Sequence, residues 1–345
     1  MLAVYTLNDA SKWDEIVKSF SKHDIYYLSG YARGFYLHGD GEPLLFYYED
    51  EKLRAINVVM KRDIAKDVNF KDKLEEGIYF DLATPYGYGG WLLEGDGSKS
   101  QLFAEYQSWC RNNSIISEVI RFHPVIGNQE EVRDIYDVMD LGKTVAIPLT
   151  NRDDIWNNFS SNNRRHIRKA IKEGVEIHKG FSEELLAKFE EVYNITMDRD
   201  TATDYYYFKK PFYDSIRDDL KDYCDIYYAT YQDKIIAVSL MLRCNGYLSY
   251  HLSGSLKEYG ILSATSLLLF ETAAWGSENG YHSLHLGGGV GSREDSLYTY
   301  KKAFYKGDGL QYSIGKMIFD QDKYAELTKM RERIERDNYF PLYRA

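Results

Sequence analysis

Apolar and polar positions along the chain fall into two successive blocks with the same order of elements. In the first, Trp13, Ile16, Val17 and Phe20 recur on one helical face, with Asp9 as the helix-starting residue. Leu44–Tyr48 and Leu53–Met60 flank the polar turn Glu49-Asp50-Glu51-Lys52, which predicts a hairpin, and Ile78–Asp81 predicts a third strand. Ser100–Asn112 then puts Leu102, Phe103, Tyr106, Trp109 and Cys110 on one side of a helix, and Glu118–Phe122 returns to strand.

The second block repeats this with clearer punctuation. Ile226–Tyr231, Ile235–Leu242 and Tyr247–Leu252 predict three strands, the last two joined at Asn245-Gly246, a pair that tolerates the positive φ of a tight hairpin. A buried helix capped by Ser263 runs through Leu267, Leu268, Phe270, Ala274 and Trp275 to the stop signal Asn279-Gly280, and Ser283–Leu286 closes the block as a strand. Three helices precede this second meander. Arg164–Glu173 turns Ile167, Ala170 and Ile171 inward under a crowd of Arg and Lys, Ser182 caps a helix ending near Arg199, and Pro211 starts a third. The expectation is an α+β chain of two tandem domains, 1–150 and 151–345, with the junction near Pro148–Asn151.

Composition narrows the partners. A formal charge of −10 over 345 residues argues against DNA and against any sequence-independent nucleic-acid binder, although the Arg164–Lys172 patch is basic enough for either a solvated helix or a local tRNA contact. Tyrosine is abundant, 32 residues, and suits wide, partly wet grooves for polar ligands as well as packing. Cys110, Cys224 and Cys244 have neither disulfide nor metal-ligand spacing, so no metal is expected. No apolar run is long enough to span a membrane and the first residues do not resemble a signal peptide; a cytoplasmic protein is expected.

The chemistry concentrates in Ser283-Leu284-His285-Leu286-Gly287-Gly288-Gly289-Val290-Gly291 and, soon after, Leu297-Tyr298-Thr299-Tyr300-Lys301-Lys302-Ala303-Phe304. Three glycines at a strand end let backbone N–H groups approach a bound group closely, and the same residues also read as a plain Gly-rich turn. Together with Asn162–Ala170 ahead of Gly174-Val175, the Thr196-x-x-Arg199 helix end and Tyr250-His251-Leu252-Ser253-Gly254-Ser255, these segments resemble the Fem family of peptidoglycan-bridge aminoacyltransferases and their BioF2-like relatives, which are tandem GNAT folds.

The resemblance implies an acyltransferase that forms an amide on an amine without a bound cofactor or metal. The acyl donor is aminoacyl-tRNA or acetyl-CoA, and the acceptor is a cell-envelope precursor of the peptidoglycan type. A GNAT cleft opens between two splayed central strands, and the following helix binds phosphate at its N-terminus, here Tyr259–Ala264. The Arg/Gln-x-x-Gly-x-Gly/Ala phosphate loop is absent there, which disfavours coenzyme A. By resemblance, Lys301 lies at the acyl-transfer point, Arg199 and Arg33 grip acceptor phosphates, and Thr196 shares the Arg199 face. Tyr250 and His251 alternate on one strand, so one of them is expected to face the cleft, Tyr250 being preferred. Tyr206 and Tyr86 are expected along the acceptor groove, Gly287, Gly288 and Gly289 along one cleft wall, and Phe304 beside it. Asp295 reads as a base, a lysine-orienting acid or a solvated loop acid. Two alternatives stand: an acetyl-CoA-dependent N-acetyltransferase on an amino sugar or peptide, and a non-catalytic ligand-binding GNAT pair.

Overall fold

Backbone pairing begins at β1 (Leu2–Tyr5), antiparallel to β2 (Glu42–Glu49), with α1 (Ala10–Lys18) and α2 (Ser29–His38) in the connection. The alternating run continues from β2 into β3 (Leu53–Asp63) and β4 (Phe80–Ala83), all antiparallel, and the short β5 (Leu92–Gly95) adds to one end of β3. Ser98 caps α3 (Lys99–Asn112) by accepting the Ser100 N–H. The helix then delivers β6 (Ile115–Arg121) parallel to β4. Trp13, Phe46, Trp91, Leu102, Tyr106 and Ile120 are buried in this unit.

β7 (Asp137–Pro148) carries the chain onward to α4 (Arg152–Asn158), α5 (Ser161–Glu173), β8 (Glu176–Gly180), α6 (Glu183–Arg199) and α7 (Lys210–Asp219). A second antiparallel meander follows: β8, β9 (Cys224–Tyr231), β10 (Lys234–Cys244) and β11 (Tyr247–Ser255). Asn245 and Gly246 sit at φ 45° and 80°, as the hairpin requires. The buried α8 (Ala264–Glu278) brings β12 (Ser283–Gly287) back parallel to β11, and α9 (Ser296–Lys302) follows. β13 (Leu310–Ile318) and α10 (Gln321–Lys329) follow. The computed structural model describes residues 1–331 and 339–345.

The chain thus forms two compact units, Met1–Leu141 with Tyr312–Ala345, and Gly142–Gln311. Each has four antiparallel strands, a helix, a fifth strand parallel to the fourth and a sixth antiparallel to the fifth. In the first unit the sixth strand is β13, from the far end of the chain; in the second it is the end of β7. A second domain read as 151–345 leaves out this return of residues 312–345 to the first unit.

Two local expectations change. Ile171 is 55% exposed, because Asn163, Ile167 and Ala170 already define the buried face of α5. Ser263 sits at the N-cap of α8 but at φ 56°, and its side chain makes no capping bond. Among the described residues, no helix is long and apolar enough to cross a membrane.

Candidate active site

The second unit is interrupted where β11 meets β12. These parallel strands pair only at Tyr247↔Ser283, Leu248↔Leu284 and Ser249↔His285, yet β11 continues to Ser255 and β12 to Gly287. Both strands are also irregular there. Leu240 faces Leu252 while Met241 faces Tyr250, so His251 is the extra residue of a bulge, and on β12 the pairing with β7 skips Leu286. A bulge bends a strand and disturbs its ladder, and both lie just past the C-terminal end of the three pairs, where the two strands stop pairing. The β11–β12 ladder accordingly ends at Ser249↔His285.

Lys301 stands at the β12 side of this gap. Asp295 caps the short helix α9, its Oδ1 accepting the Tyr298 N–H and its Oδ2 the Val290 N–H, both at 2.9 Å. It is therefore the staple between the glycine loop and the helix. A Cβ on Gly289 would overlap the Arg293 carbonyl oxygen and the Asp295 carboxylate, and one on Gly288 would meet the Lys143 carbonyl oxygen at 2.9 Å. Gly287 takes φ 76°. The loop so formed offers the Gly288 carbonyl to the Lys301 ammonium, Nζ to O 2.7 Å. Lys301 is 9% exposed, and burial draws its pKa down to about 8 against a smaller upward pull from Asp295. Neighbouring Lys302 instead closes the following turn on the Tyr305 and Gly307 carbonyls.

Tyr250 is the first residue of β11 beyond the last β12 pair. It is half-buried, donates to Ser253 Oγ at 2.7 Å, and has its phenol pKa raised by burial. Tyr300, adjacent to Lys301, is close enough for the Tyr250 phenol to raise its own pKa further, after burial as the main cause. Sequence reasoning quoted Tyr300 without assigning it; its position becomes readable only once α9 is seen to turn it toward Tyr250. His251, at the bulge, is half-buried and its imidazole pKa is driven down to about 3 by desolvation, so it is neutral at physiological pH.

Other expected residues hold the scaffold. Thr196 is buried, and its Oγ accepts the Ser255 N–H at 2.8 Å while donating to the Val192 carbonyl at 3.0 Å. Arg199 donates to the Ser255 carbonyl at 2.8 Å and pairs with Asp200 at 2.9 Å. Both residues of that helix end therefore pin the last residue of β11. Tyr206 is half-buried, its ring edge-on to Tyr205 at 5.5 Å. Phe304 is a correction: it is fully buried, edge-on to Phe159 at 5.2 Å and Tyr300 at 5.3 Å, and lines core rather than cleft.

Arg33 and Tyr86 belong to the first unit. Arg33 is exposed on α2, and Tyr86 is half-buried, stacked on Phe35 at 5.6 Å with its carbonyl accepting the Tyr31 hydroxyl at 2.6 Å. Sequence reasoning missed the buried pair beneath this aromatic group, where His123 Nε2 lies 2.8 Å from Asp24. Nothing short-range announces it, since the two residues are 99 positions apart. Among the described residues, no group of three or more His, Cys, Asp or Glu side chains is placed to hold a metal.

Each unit thus repeats one order of strands, with a fifth strand parallel to the fourth. Residues 157–319 match the acetyltransferase (GNAT) domain family. The chain is similar to a UDP-N-acetylmuramoylpentapeptide-lysine N(6)-alanyltransferase of Weissella viridescens, 26% identical over 178 residues that make up 50% of this chain and 51% of that protein. The chain thus spans about half the length of the curated relative it matches. In fold it is similar to FemX, with TM-score 0.68 at 14% identity, covering 94% of this chain and 99% of that one. It is also similar to L-PGS from Bacillus licheniformis, with TM-score 0.55 at 16% identity over 93% and 94% of the two chains.

Proposed function

We propose that the protein is an acyltransferase that moves an acyl or aminoacyl group onto an amine of a peptidoglycan-precursor acceptor, with the transfer site in the second unit. The observation that carries this reading is the desolvated Lys301 held on the Gly288 carbonyl beside the parted ends of β11 and β12. An activated carbonyl entering the gap meets β11 on one side and a cation at its other wall. As the amine attacks, the C–N bond forms and negative charge collects on the carbonyl oxygen, where Lys301 as ammonium stabilises it. Collapse breaks the C–O or C–S bond to the donor, and the proton lost by the amine ends on the leaving group.

Tyr250 with Tyr300 lines the β11 side and orients the acyl group, and neutral His251 supplies an uncharged neighbour to the oxyanion. Arg33, Tyr86 and Tyr206 are assigned as acceptor-facing groups on their own units, whereas Arg199 and Thr196 serve by fixing β11. The acceptor class follows the printed substrate of the alanyltransferase relative. Aminoacyl-tRNA is favoured over acetyl-CoA because α8 begins at an uncapped Ser263 without the glycine-containing phosphate loop. A cytoplasmic location fits both donor classes and the three buried free thiols. Radiolabelled acetyl-CoA and a charged tRNA pool, each offered separately with muropeptide precursors and amino sugars, test the reading. Label should move from tRNA to a precursor amine; transfer only from acetyl-CoA would replace the donor assignment, and no transfer from either would refute the reading.

A further inference from the structure

Helix α5 carries five cations, Arg164, Arg165, Arg168, Lys169 and Lys172, and one acid, Glu173. Among the described residues none of the five makes an ion pair, although cations elsewhere do: Arg133 with Glu130 and Asp140, Lys188 with Glu191, Arg217 with Asp214 and Asp218. Arg164 is used internally, donating to the Phe159 carbonyl at 2.6 Å. Arg165 donates only to Asn162, and Arg168 lies over the Trp156 ring, 5.0 Å from its centre. At roughly 100° per residue, Arg165, Arg168, Lys169 and Lys172 fall within an arc of about 100°, opposite the buried Asn163, Ile167 and Ala170, and span about 10 Å along the helix. In a chain of charge −10 with acids to spare, this row is left unneutralised.

The row is tied to the candidate site within the same unit. Ser160, which caps α5, donates its backbone N–H to the Ala303 carbonyl at 2.8 Å, two residues beyond Lys301, and Phe159 packs on Phe304. A polyanion lying along α5 would therefore have one end beside the α9 helix that holds Lys301. The only exposed large apolar residue on this helix is Ile171, too little to enter a lipid surface, so the charge pattern favours a phosphate backbone over a membrane. We propose that the exposed face of α5 binds the phosphate backbone of an RNA, the body of the acyl donor. This deepens the transfer reading above and rests on it for the donor's role.

The test uses the full chain and fluorescein-labelled deacylated bacterial tRNA, titrated by anisotropy between 50 and 200 mM salt. The triple variant Arg165→Gln/Lys169→Gln/Lys172→Gln should bind roughly tenfold or more weakly, with the slope of log affinity against log salt shallower by about 2 to 3. Lys301→Ala should bind the same tRNA as wild type does, and the triple variant should melt at the wild-type temperature. Unchanged tRNA affinity in the triple variant, or no binding by wild type at 50 mM salt, would overturn the proposal. So would a loss confined to binding of phosphatidylglycerol vesicles. RNA binding through α5 without amide product would sink the transfer reading alone, and transfer from acetyl-CoA without RNA binding would sink the α5 surface and the tRNA donor while leaving the acyl transfer itself standing.

Discussion

At the residue scale the account turns on the charge of Lys301. Burial lowers its pKa from the ordinary lysine value to about 8, so the ammonium predominates below that pH and is lost as pH rises through it. If the ammonium stabilises the oxyanion, kcat should fall along an alkaline limb centred near pH 8. Lys301→Arg, which stays charged, should move that limb upward even where its rate is reduced; a rate that climbs through pH 8 would instead identify Lys301 as a base. Gly289 has a comparably specific role. Gly289→Ala must displace either the Arg293 carbonyl or the Asp295 cap, and should cost about 1–3 kcal/mol in chemical denaturation together with most of the transfer rate. That the glycine run and Lys301 lie close together was legible in the sequence, from their spacing behind a strand end. That Asp295 is a helix cap rather than a base was not, because its partners are backbone N–H groups whose direction only the folded loop defines.

Among elements, β11 matters most, since its free end forms one wall of the gap. Thr196 and Arg199 hold that end through Ser255. Thr196→Val removes the hydrogen bonds of a buried hydroxyl at nearly constant volume and should cost about 1–2 kcal/mol in urea unfolding. Its effect on transfer should appear chiefly in kcat, through misplacement of Tyr250; a variant raised only in acceptor KM would return the Thr196–Arg199 corner to substrate binding. The meander and its Asn245-Gly246 turn were readable from alternation and turn chemistry, and α8 from its apolar content. The bulges at His251 and Leu286 were not, because a bulge is defined by the partner strand's register rather than by its own residues. Phe304 was misread for a related reason: an aromatic two residues past a short helix faces the core or the cleft according to where that helix ends.

For the whole molecule, the repeat of meander, helix and parallel strand was visible in the order of apolar segments, but its closure was not. Each unit takes its sixth strand from chain outside its own block, and periodicity carries no information on such long-range pairing. The return of the C-terminal residues has an energetic signature in the first unit. Tyr343 bonds Ser117 at 2.7 Å and Asp81 at 3.0 Å, and Arg344 pairs with Asp81 at 2.6 Å and Asp67 at 2.8 Å. Burial alone would raise the Asp81 pKa, but Arg344 and Arg62 together hold it below the usual carboxylate range. This contribution is present above the unfolded pKa and is lost as pH falls through the depressed folded value, so acidification below about pH 4 should weaken the first unit. Arg344→Ala should cost about 3–5 kcal/mol by uncovering a buried carboxylate, read as a lowered melting temperature; an unchanged melt would mean the tail does not brace that unit. The central claim, an amide-forming transfer at the parted strands of the second unit, is tested most directly by single-turnover transfer from labelled aminoacyl-tRNA to a muropeptide precursor, comparing wild type with Lys301→Ala. The account predicts labelled amide from wild type and a loss of about 10²–10³-fold in the variant at unchanged melting temperature; a variant that transfers at the wild-type rate would contradict it.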